Sequence, residues 1–417
     1  MKIIYLHQYF NTPESSGGTR SYEFAKSLVK MGHEVTMVTS YLQPHKSNKW
    51  FQTEESGIKI HWLPLKYSNY SSFLERIKAF ISFSWKSFLK IRNIEGDIVF
   101  ASSTPLTVAI PGVFISRAKN IPMVFEVRDL WPEVPIAMKI LKNPILIYLA
   151  NSLELWAYKN SSSIVALSPE MKKGILLKKI DTKKIAVIPN SSDLKKFEFN
   201  EKLALNFRHN RPWLKNRPLL VYAGTFGKVN DLSYAIRLAI ELKKQKSETR
   251  ILLIGDGFEG DKLIKEAKKY DVYEKNLFFE KPMPKKDMPA CLSAATITAN
   301  FVINVRENWA NSANKFFDGL AAGKPIFLNH GGWMQDLVLK NGCGLCMHGK
   351  NMEEVAKELD LAVNNNTWLK SAGRVSKNLA EKFFDRNIHS DQLETVLTLA
   401  INNKLDLVND VTKDFYK

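Results

Sequence analysis

Residues 1–40 read MKIIYLHQYFNTPESSGGTRSYEFAKSLVKMGHEVTMVTS, and this stretch decides the fold class. The apolar run 2–6 predicts a strand, and a polar loop follows from His7 to Gly18. Tyr22, Ala25, Leu28 and Val29 then recur at helical spacing as far as Gly32, and 34–39 predicts a second strand. Strand, helix and strand in so short a stretch make a βαβ unit. Further strands are predicted at 98–101, 122–126, 164–167 and 185–188, alternating with helical segments. That is the rhythm of a parallel sheet covered on both faces.

The pattern breaks at 190–218, a polar and basic stretch without a clean period that reads as a linker. It then restarts: strand 219–223, Gly-containing loop 224–230, helix 231–242, strand 250–254, and further elements at 295–301, 312–322 and 325–328. The expected architecture is α/β, with two Rossmann-like halves in tandem and a cleft between them.

The chain has 417 residues, enough for two or three domains at roughly 150 residues each. With 45% hydrophobic and 24% charged residues it is of ordinary globular composition, which excludes collagenous and low-complexity classes. Lys and Arg exceed Asp and Glu by 18, which implies an anionic partner. Residues 1–195 carry 26 basic and 15 acidic side chains, a net of +11. Three cysteines cannot build a disulfide framework, so a reducing, cytoplasmic compartment is expected. Polar His7 and Gln8 come too early for a signal peptide, and no run of about 18 apolar residues predicts a spanning helix.

Four constellations sit where ligands bind in such sheets. Gly17-Gly18-Thr19-Arg20 lies between a strand and a helix, either as an anion-binding helix start or as a tight turn. It is not G-x-G-x-x-G, and the next strand ends in Thr39-Ser40 without an acid for a ribose, which argues against a dinucleotide cofactor. Ser312-Ala313-Asn314-Lys315 opens a helix, and Asp318 follows one turn later. Helix-start amides and an ammonium suit a diphosphate, and the carboxylate suits a ribose; the alternative is a capped amphipathic helix with a solvated lysine. Gly224-Thr225-Phe226-Gly227-Lys228 and Gly255-Asp256-Gly257 end two strands of the second half, where Lys228 either reaches a diphosphate or is a surface lysine. Glu126, Arg128, Asp129 and Glu133, with Trp131, crowd another strand end, as a site or as an ion-pair cluster.

Two further patterns concern metals and membranes. Cys343 and Cys346 have redox or zinc spacing, but no second pair exists and the histidines show no metal-binding spacing, so no metal is expected. Residues 73–92 are basic and amphipathic: Leu74, Ile77, Phe80, Ile81, Phe88 and Leu89 can share a face fringed by Arg76, Lys78, Lys86, Lys90 and Arg92. This is either a helix lying in an anionic membrane surface or a domain helix with snorkelling lysines. Lys172, Lys173, Lys178, Lys179, Lys183 and Lys184 form a second basic cluster that could support the same surface.

SSGGTR at 15–20, EVRDLWPE at 126–133, IPNSSD at 188–193, YAGTFGK at 222–228, LIGDG at 253–257 and NKFFDGLAAGKP at 314–325 occur in that order. In these motifs the chain resembles family 4 glycosyltransferases of the GT-B fold, especially bacterial O-antigen and capsule transferases. The resemblance implies an N-terminal acceptor domain over 1–195, completed by a C-terminal helix at 390–417, and a donor domain over 196–389. It implies retaining transfer of a hexosyl or N-acetylhexosaminyl group from a UDP-type nucleotide-sugar to a lipid-linked saccharide. That chemistry needs no cofactor, and it would take place at the inner face of the cytoplasmic membrane.

Carried over residue by residue, Lys315 and the amides of Ser312, Ala313 and Asn314 fall on the diphosphate, and Asp318 falls where the family usually has a ribose-binding Glu. Gly17 and Gly18 fall on the loop closing over the phosphates, and Gly224, Thr225, Gly255 and Met283 on the donor pocket. Lys228, Lys315, Arg128 and Asp129 are the catalytic candidates. The chain departs from the family at Ala310, where the first Glu of an E-x7-E motif would stand, and at Arg128-Asp129, where many members have His-Asp. A nucleotide-sugar epimerase of the same architecture is the rival enzyme. A basic nucleic-acid-binding protein is the rival of another class, but no nucleic-acid-binding motif is present, and no nucleic-acid partner is expected.

Overall fold

The structure, a computed structural model, describes residues 1–15, 17–65 and 73–416. Ser16 of the first glycine loop and Lys417 of the closing segment lie outside the described residues. Eight strands build the first sheet: β1 (Lys2–His7), β2 (Glu34–Tyr41), β3 (Phe51–Glu55), β4 (Ile58–Pro64), β5 (Ile98–Ser102), β6 (Met123–Val127), β7 (Ser163–Ala166) and β8 (Ile185–Val187). Their order is β3-β4-β2-β1-β5-β6-β7-β8, parallel except for the β3–β4 hairpin. Six strands build the second: β9 (Leu219–Ala223), β10 (Arg250–Ile254), β11 (Leu277–Glu280), β12 (Ile297–Asn300), β13 (Ile326–Leu328) and β14 (Gly344–Cys346). Their order is β11-β10-β9-β12-β13-β14, all parallel.

Both sheets have the doubly wound architecture expected of the alternating pattern, because the central strands are apolar on both faces. β5 and β6 are buried along their whole length. The β3–β4 hairpin escaped the periodicity because β3 is an edge strand whose central residues Gln52, Thr53 and Glu54 all face solvent.

The segment 190–218 is folded rather than a loose linker. Helices Leu194–Phe197 and Glu201–His209 form within it, and Phe197, Phe207 and Leu214 are buried. Ala204, Phe207 and Leu214 share a core with Leu219, Ile254 and Phe278 of the second sheet. Its basic character conceals this, because Arg211 lies over the Phe207 ring at 3.5 Å while holding both oxygens of Glu280 at 2.7 Å.

Helix Phe73–Ile91 packs on the first sheet through Ala79, Phe83 and Ile91. Its outward stripe is Leu74, Ile81, Trp85 and Leu89. Phe80 and Phe88, expected on that stripe, are half-buried against the domain. Of the second basic cluster, Lys172, Lys178 and Lys184 are tied to Asn409, to Glu133 and Glu154, and to the Tyr158 and Ser161 carbonyls. Lys173, Lys179 and Lys183 remain exposed.

The chain crosses between the two sheets twice, and the crossings lie side by side. The Ser192 amide donates to the Phe384 carbonyl at 3.1 Å, and the Arg386 amide donates to the Ser192 carbonyl at 3.2 Å. Helix Arg386–Ile401 then returns to the first sheet, where Leu393, Val396 and Leu397 join Ile3, Tyr5, Ile98 and Phe100 in one core. Val187 of β8 donates to Thr412 at 3.1 Å, fastening the segment that follows. Leu397→Ala, at a fully buried position, should cost about 2–5 kcal/mol. A lowered urea midpoint, with the second sheet's residues untouched, is the expected measurement.

Candidate active site

A cavity of about 640 Å³ opens between the carboxyl edges of the two sheets, where ligands bind in doubly wound folds. The first unit lines it with His7, Gly18, Thr104, Arg128, Asp129 and Trp131; the second contributes Asn230, Asn300, Asn308, Ser312, Ala313 and Asn314. Six of the residues expected from sequence therefore meet in the lining of one cavity, three from each unit: Gly18, Arg128, Asp129, Ser312, Ala313 and Asn314.

Behind this lining lies a buried ion pair. Glu126 is the last but one residue of β6, and Arg20 opens helix Arg20–Lys30; their side chains meet at 2.8 Å, both removed from solvent. Arg20 also donates to the Ile188 and Pro189 carbonyls and to Asn190, and Ser102 donates to the second Glu126 oxygen at 2.6 Å. Burial alone would raise the Glu126 pKa, but the charges of Arg20 and Arg128 and these hydrogen bonds hold it below the ordinary carboxylate value. Asn190 carries the network across the cleft, its amide donating to the Ser312 hydroxyl at 3.0 Å and its side chain to the Ser312 carbonyl.

Sequence reasoning passed over His7. Its Nδ1 donates to the Ser102 carbonyl at 3.1 Å, which leaves Nε2 to accept from Arg128 at 3.0 Å. Burial, then the neighbouring Arg128 charge, lowers its pKa to about 3, so the imidazole is neutral. The signal available was position: His7 ends the first strand at the ligand-binding edge. Asp129 accepts from Thr104 at 2.9 Å beside it, and the cleft walls push its carboxyl above the ordinary value.

On the second unit, Lys315 extends from the first turn of helix Asn314–Ala321 to a point 4.2 Å over the Tyr222 ring, donating to the phenol at 3.1 Å. Among the described residues no carboxylate pairs with it, and burial lowers its pKa to about 7. Gly224 leaves it room: a Cβ there would stand 2.8 Å from the ammonium. Gly255, at φ +155°, lets the Gly224 carbonyl approach to where its own Cβ would be. Thr225 turns its carbonyl to Tyr222 and Asn230.

The other candidates are more dispersed. The loop at Gly17 and Gly18 lies against the helix start, since a Cβ on Gly18 would meet the Asn314 side-chain amide at 2.6 Å. Lys228 is exposed on the short turn Lys228–Asn230. Met283 is packed against the core around Ala204 and Phe207. Asp318 is buried outside the cavity wall, and its oxygens are already held: Ser192 donates to one at 2.9 Å and buried Lys285 pairs with the other.

Two family models match the chain. The glycosyl transferase 4-like domain matches residues 17–191, and glycosyl transferases group 1 matches 206–382. The chain belongs to the family 4-type glycosyltransferases. An uncharacterized glycosyltransferase of Methanocaldococcus jannaschii is 20% identical over 306 residues, 72% of this chain and 74% of that protein. Anabaena HepE, solved with UDP and glucose, superposes with a TM-score of 0.71 at 16% identity, covering 95% of this chain and 99% of its own. Sucrose-phosphate synthase from Thermosynechococcus elongatus gives 0.75 at 14% identity, covering 96% and 99%. The fold of this glycosyltransferase is thus GT-B, two Rossmann-like domains facing a central cleft.

Within the glycosyltransferase, the described residues contain no cluster of three His, Cys, Asp or Glu side chains arranged to hold a metal ion. Burial pushes the Cys343 thiol up to about 11 and that of Cys346 up to about 12, so neither is a thiolate at neutral pH. Asp318→Ala should strand the Lys285 ammonium among buried groups at a cost of about 3–5 kcal/mol. A double variant that also carries Lys285→Met should recover most of that loss in urea unfolding.

Proposed function

We propose that this glycosyltransferase transfers a hexosyl or N-acetylhexosaminyl group, with retention, from a UDP-type nucleotide-sugar to a lipid-linked saccharide. The acceptor belongs to surface polysaccharide assembly, of the O-antigen or capsule kind, at the inner face of the cytoplasmic membrane. The first unit takes the acceptor and the second the donor. The observation that carries this reading is the Lys315 ammonium, which has no carboxylate partner among the described residues and stands one residue beyond the cavity-lining helix start Ser312–Asn314. UDP and glucose in the Anabaena neighbour favour a UDP-type donor.

Transfer builds negative charge on the departing diphosphate, and preorganised donors aimed at that charge lower the barrier. Lys315, the helix-start amides and Lys228 supply them, with Gly17 and Gly18 closing from the opposite domain. The leaving phosphate then accepts the acceptor hydroxyl's proton on the same face, so the reaction proceeds without a carboxylate pair and without a cofactor. Arg128 and Asp129 stand on the acceptor side, with neutral His7 fixing the Arg128 guanidinium. Placing the ribose on Asp318 requires its hydroxyls to replace Ser192 or Lys285 at that carboxylate.

Thermal shift with UDP-sugars identifies the donor, and turnover is read with labelled donor. Lys315→Ala should abolish detectable transfer; unchanged turnover with normal donor affinity would refute the assignment. Conversion of the sugar in the absence of any acceptor would instead mark an epimerase. Asp129→Asn should lower turnover while leaving donor affinity within a factor of about two.

The pH dependence has a definite sign. Lys315 falls from an ordinary 10.5 to about 7 on folding, so the unfolded chain binds more protons between those values and this group makes stability rise with pH there. A bound diphosphate favours the ammonium, so donor binding takes up a proton above pH 7. Donor affinity should fall by up to about tenfold per pH unit above 7. Calorimetry in buffers of different ionisation heat checks the proton uptake, and its absence would remove Lys315 from the diphosphate.

A further inference from the structure

One face of the first sheet is covered by helices Phe73–Ile91, Ala109–Lys119, Pro144–Asn160 and Pro169–Leu177, which pack on one core through Phe83, Val113, Ala157 and Ile175. The outer sides of the first three remain apolar. Leu74, Ile81 and Trp85 are 70%, 60% and 62% exposed along the first helix. Phe114 is 48% exposed on the second, and Ile145, Tyr148 and Leu149 are 67%, 72% and 55% exposed on the third.

These side chains form one surface. Trp85, Phe88, Phe114 and Trp156 run across the three helices with successive ring centroids 6.0, 6.0 and 5.9 Å apart. On the third helix Ile145, Leu149 and Trp156 share a stripe, because seven residues make nearly two turns. A contiguous exposed apolar surface on a globular protein marks a binding face.

Charge identifies the partner. The three helices carry seven Lys or Arg residues, and apart from buried Glu154 their single acid is Glu75. Apolar and aromatic side chains fringed by bases match an anionic bilayer, whose headgroups attract the bases while its acyl boundary accepts the rings. The face also reaches the active site: Arg76 of the first helix and half-exposed Ile140, just before the third, both line the cavity. No described helix is long and apolar enough to cross a membrane.

We propose that the outer faces of these three helices together dock this glycosyltransferase on an anionic lipid bilayer, with Ile81, Trp85, Phe114 and Leu149 entering the boundary between headgroups and acyl chains. The inference rests on the lipid-linked acceptor proposed above, and it brings the cleft mouth to the membrane surface. It makes the third helix, which composition did not single out, an equal partner of the first.

Co-sedimentation with phosphatidylglycerol–phosphatidylcholine vesicles tests it, with pure phosphatidylcholine vesicles as control and salt varied. Wild type should pellet with the anionic vesicles. Combining Ile81→Ser and Trp85→Ser, or making Leu149→Ser with Ile145→Ser on the other helix, should each weaken vesicle affinity about tenfold or more. Lys78→Glu, Lys86→Glu and Lys90→Glu together should remove its salt dependence along with most of the binding. The thermal shift given by UDP-glucose should be unchanged in all three, showing that the variants fold and separating this inference from the donor reading. Brominated lipid should quench wild-type fluorescence, and Trp85→Phe should lose most of that quenching. Wild type that never pellets, or third-helix variants that pellet fully, would overturn the three-helix face. A concentration-dependent dimer that the serine variants abolish, without vesicle binding, would assign it to a second copy of this chain instead.

Discussion

The buried pair of Arg20 and Glu126 is the constraint on which the arrangement of the cleft depends. Two charges removed from water persist only when their geometry and remaining hydrogen bonds are nearly complete. Here the guanidinium spends its other donors on Ile188, Pro189 and Asn190, and the carboxylate accepts from Ser102. One pair thereby fixes the start of a helix, the ends of three strands and the first residues of the crossing to the second domain. Asn190 then hands the geometry to Ser312, at the cavity-lining helix start. Ser168 does the same at a second point, donating to the Ala310 carbonyl at 2.6 Å.

Lys285 and Lys315 show how environment separates two lysines, one reaching helix Asn314–Ala321 from outside and one carried on it. Lys285 has a buried carboxylate partner in Asp318 and is spent on structure. Among the described residues Lys315 meets only a phenol and its ring face, both of which stabilise a cation less than a carboxylate does, and burial disfavours its charge. Such a group gains most from an arriving anion. The role proposed for it in the reaction rests on what the folded protein withholds from it.

The alternation of apolar strands with helices was enough to read the doubly wound halves, because strands buried on both faces leave continuous apolar runs such as IVFAS and MVFEV. Position relative to strand ends was enough to place Arg128, Asp129 and the 312–314 stretch near a cleft. What failed depended on pairwise geometry. Nothing local in the sequence tells that Asp318 would meet Ser192 and Lys285, 126 and 33 residues away. His7 was passed over because its partners are remote in sequence: Ser102 ends the adjacent strand β5, and Arg128 follows β6, one strand further across the sheet. Periodicity alone could not say which apolar side of helix Phe73–Ile91 would be covered, so Phe88 and Trp85 exchanged places. The basic stretch 190–218 hid its buried Phe197, Phe207 and Leu214 among charged neighbours such as Arg211, which lies over the Phe207 ring.

The paired crossings near Ser192 and Arg386 have a mechanical consequence. A single tether would leave two domains free to swivel, whereas two adjacent strands bonded to each other behave like a leaf hinge. Such a hinge bends readily about the line joining its strands and resists torsion across it. Any movement of the two walls about that hinge would follow one arc, and it would have to release the Asn190–Ser312 and Ser168–Ala310 bonds that hold them in this structure. Were the first wall held on a flat support, as proposed, that arc would carry the other wall toward and away from the support, and substrates would enter and leave without the anchored half having to let go.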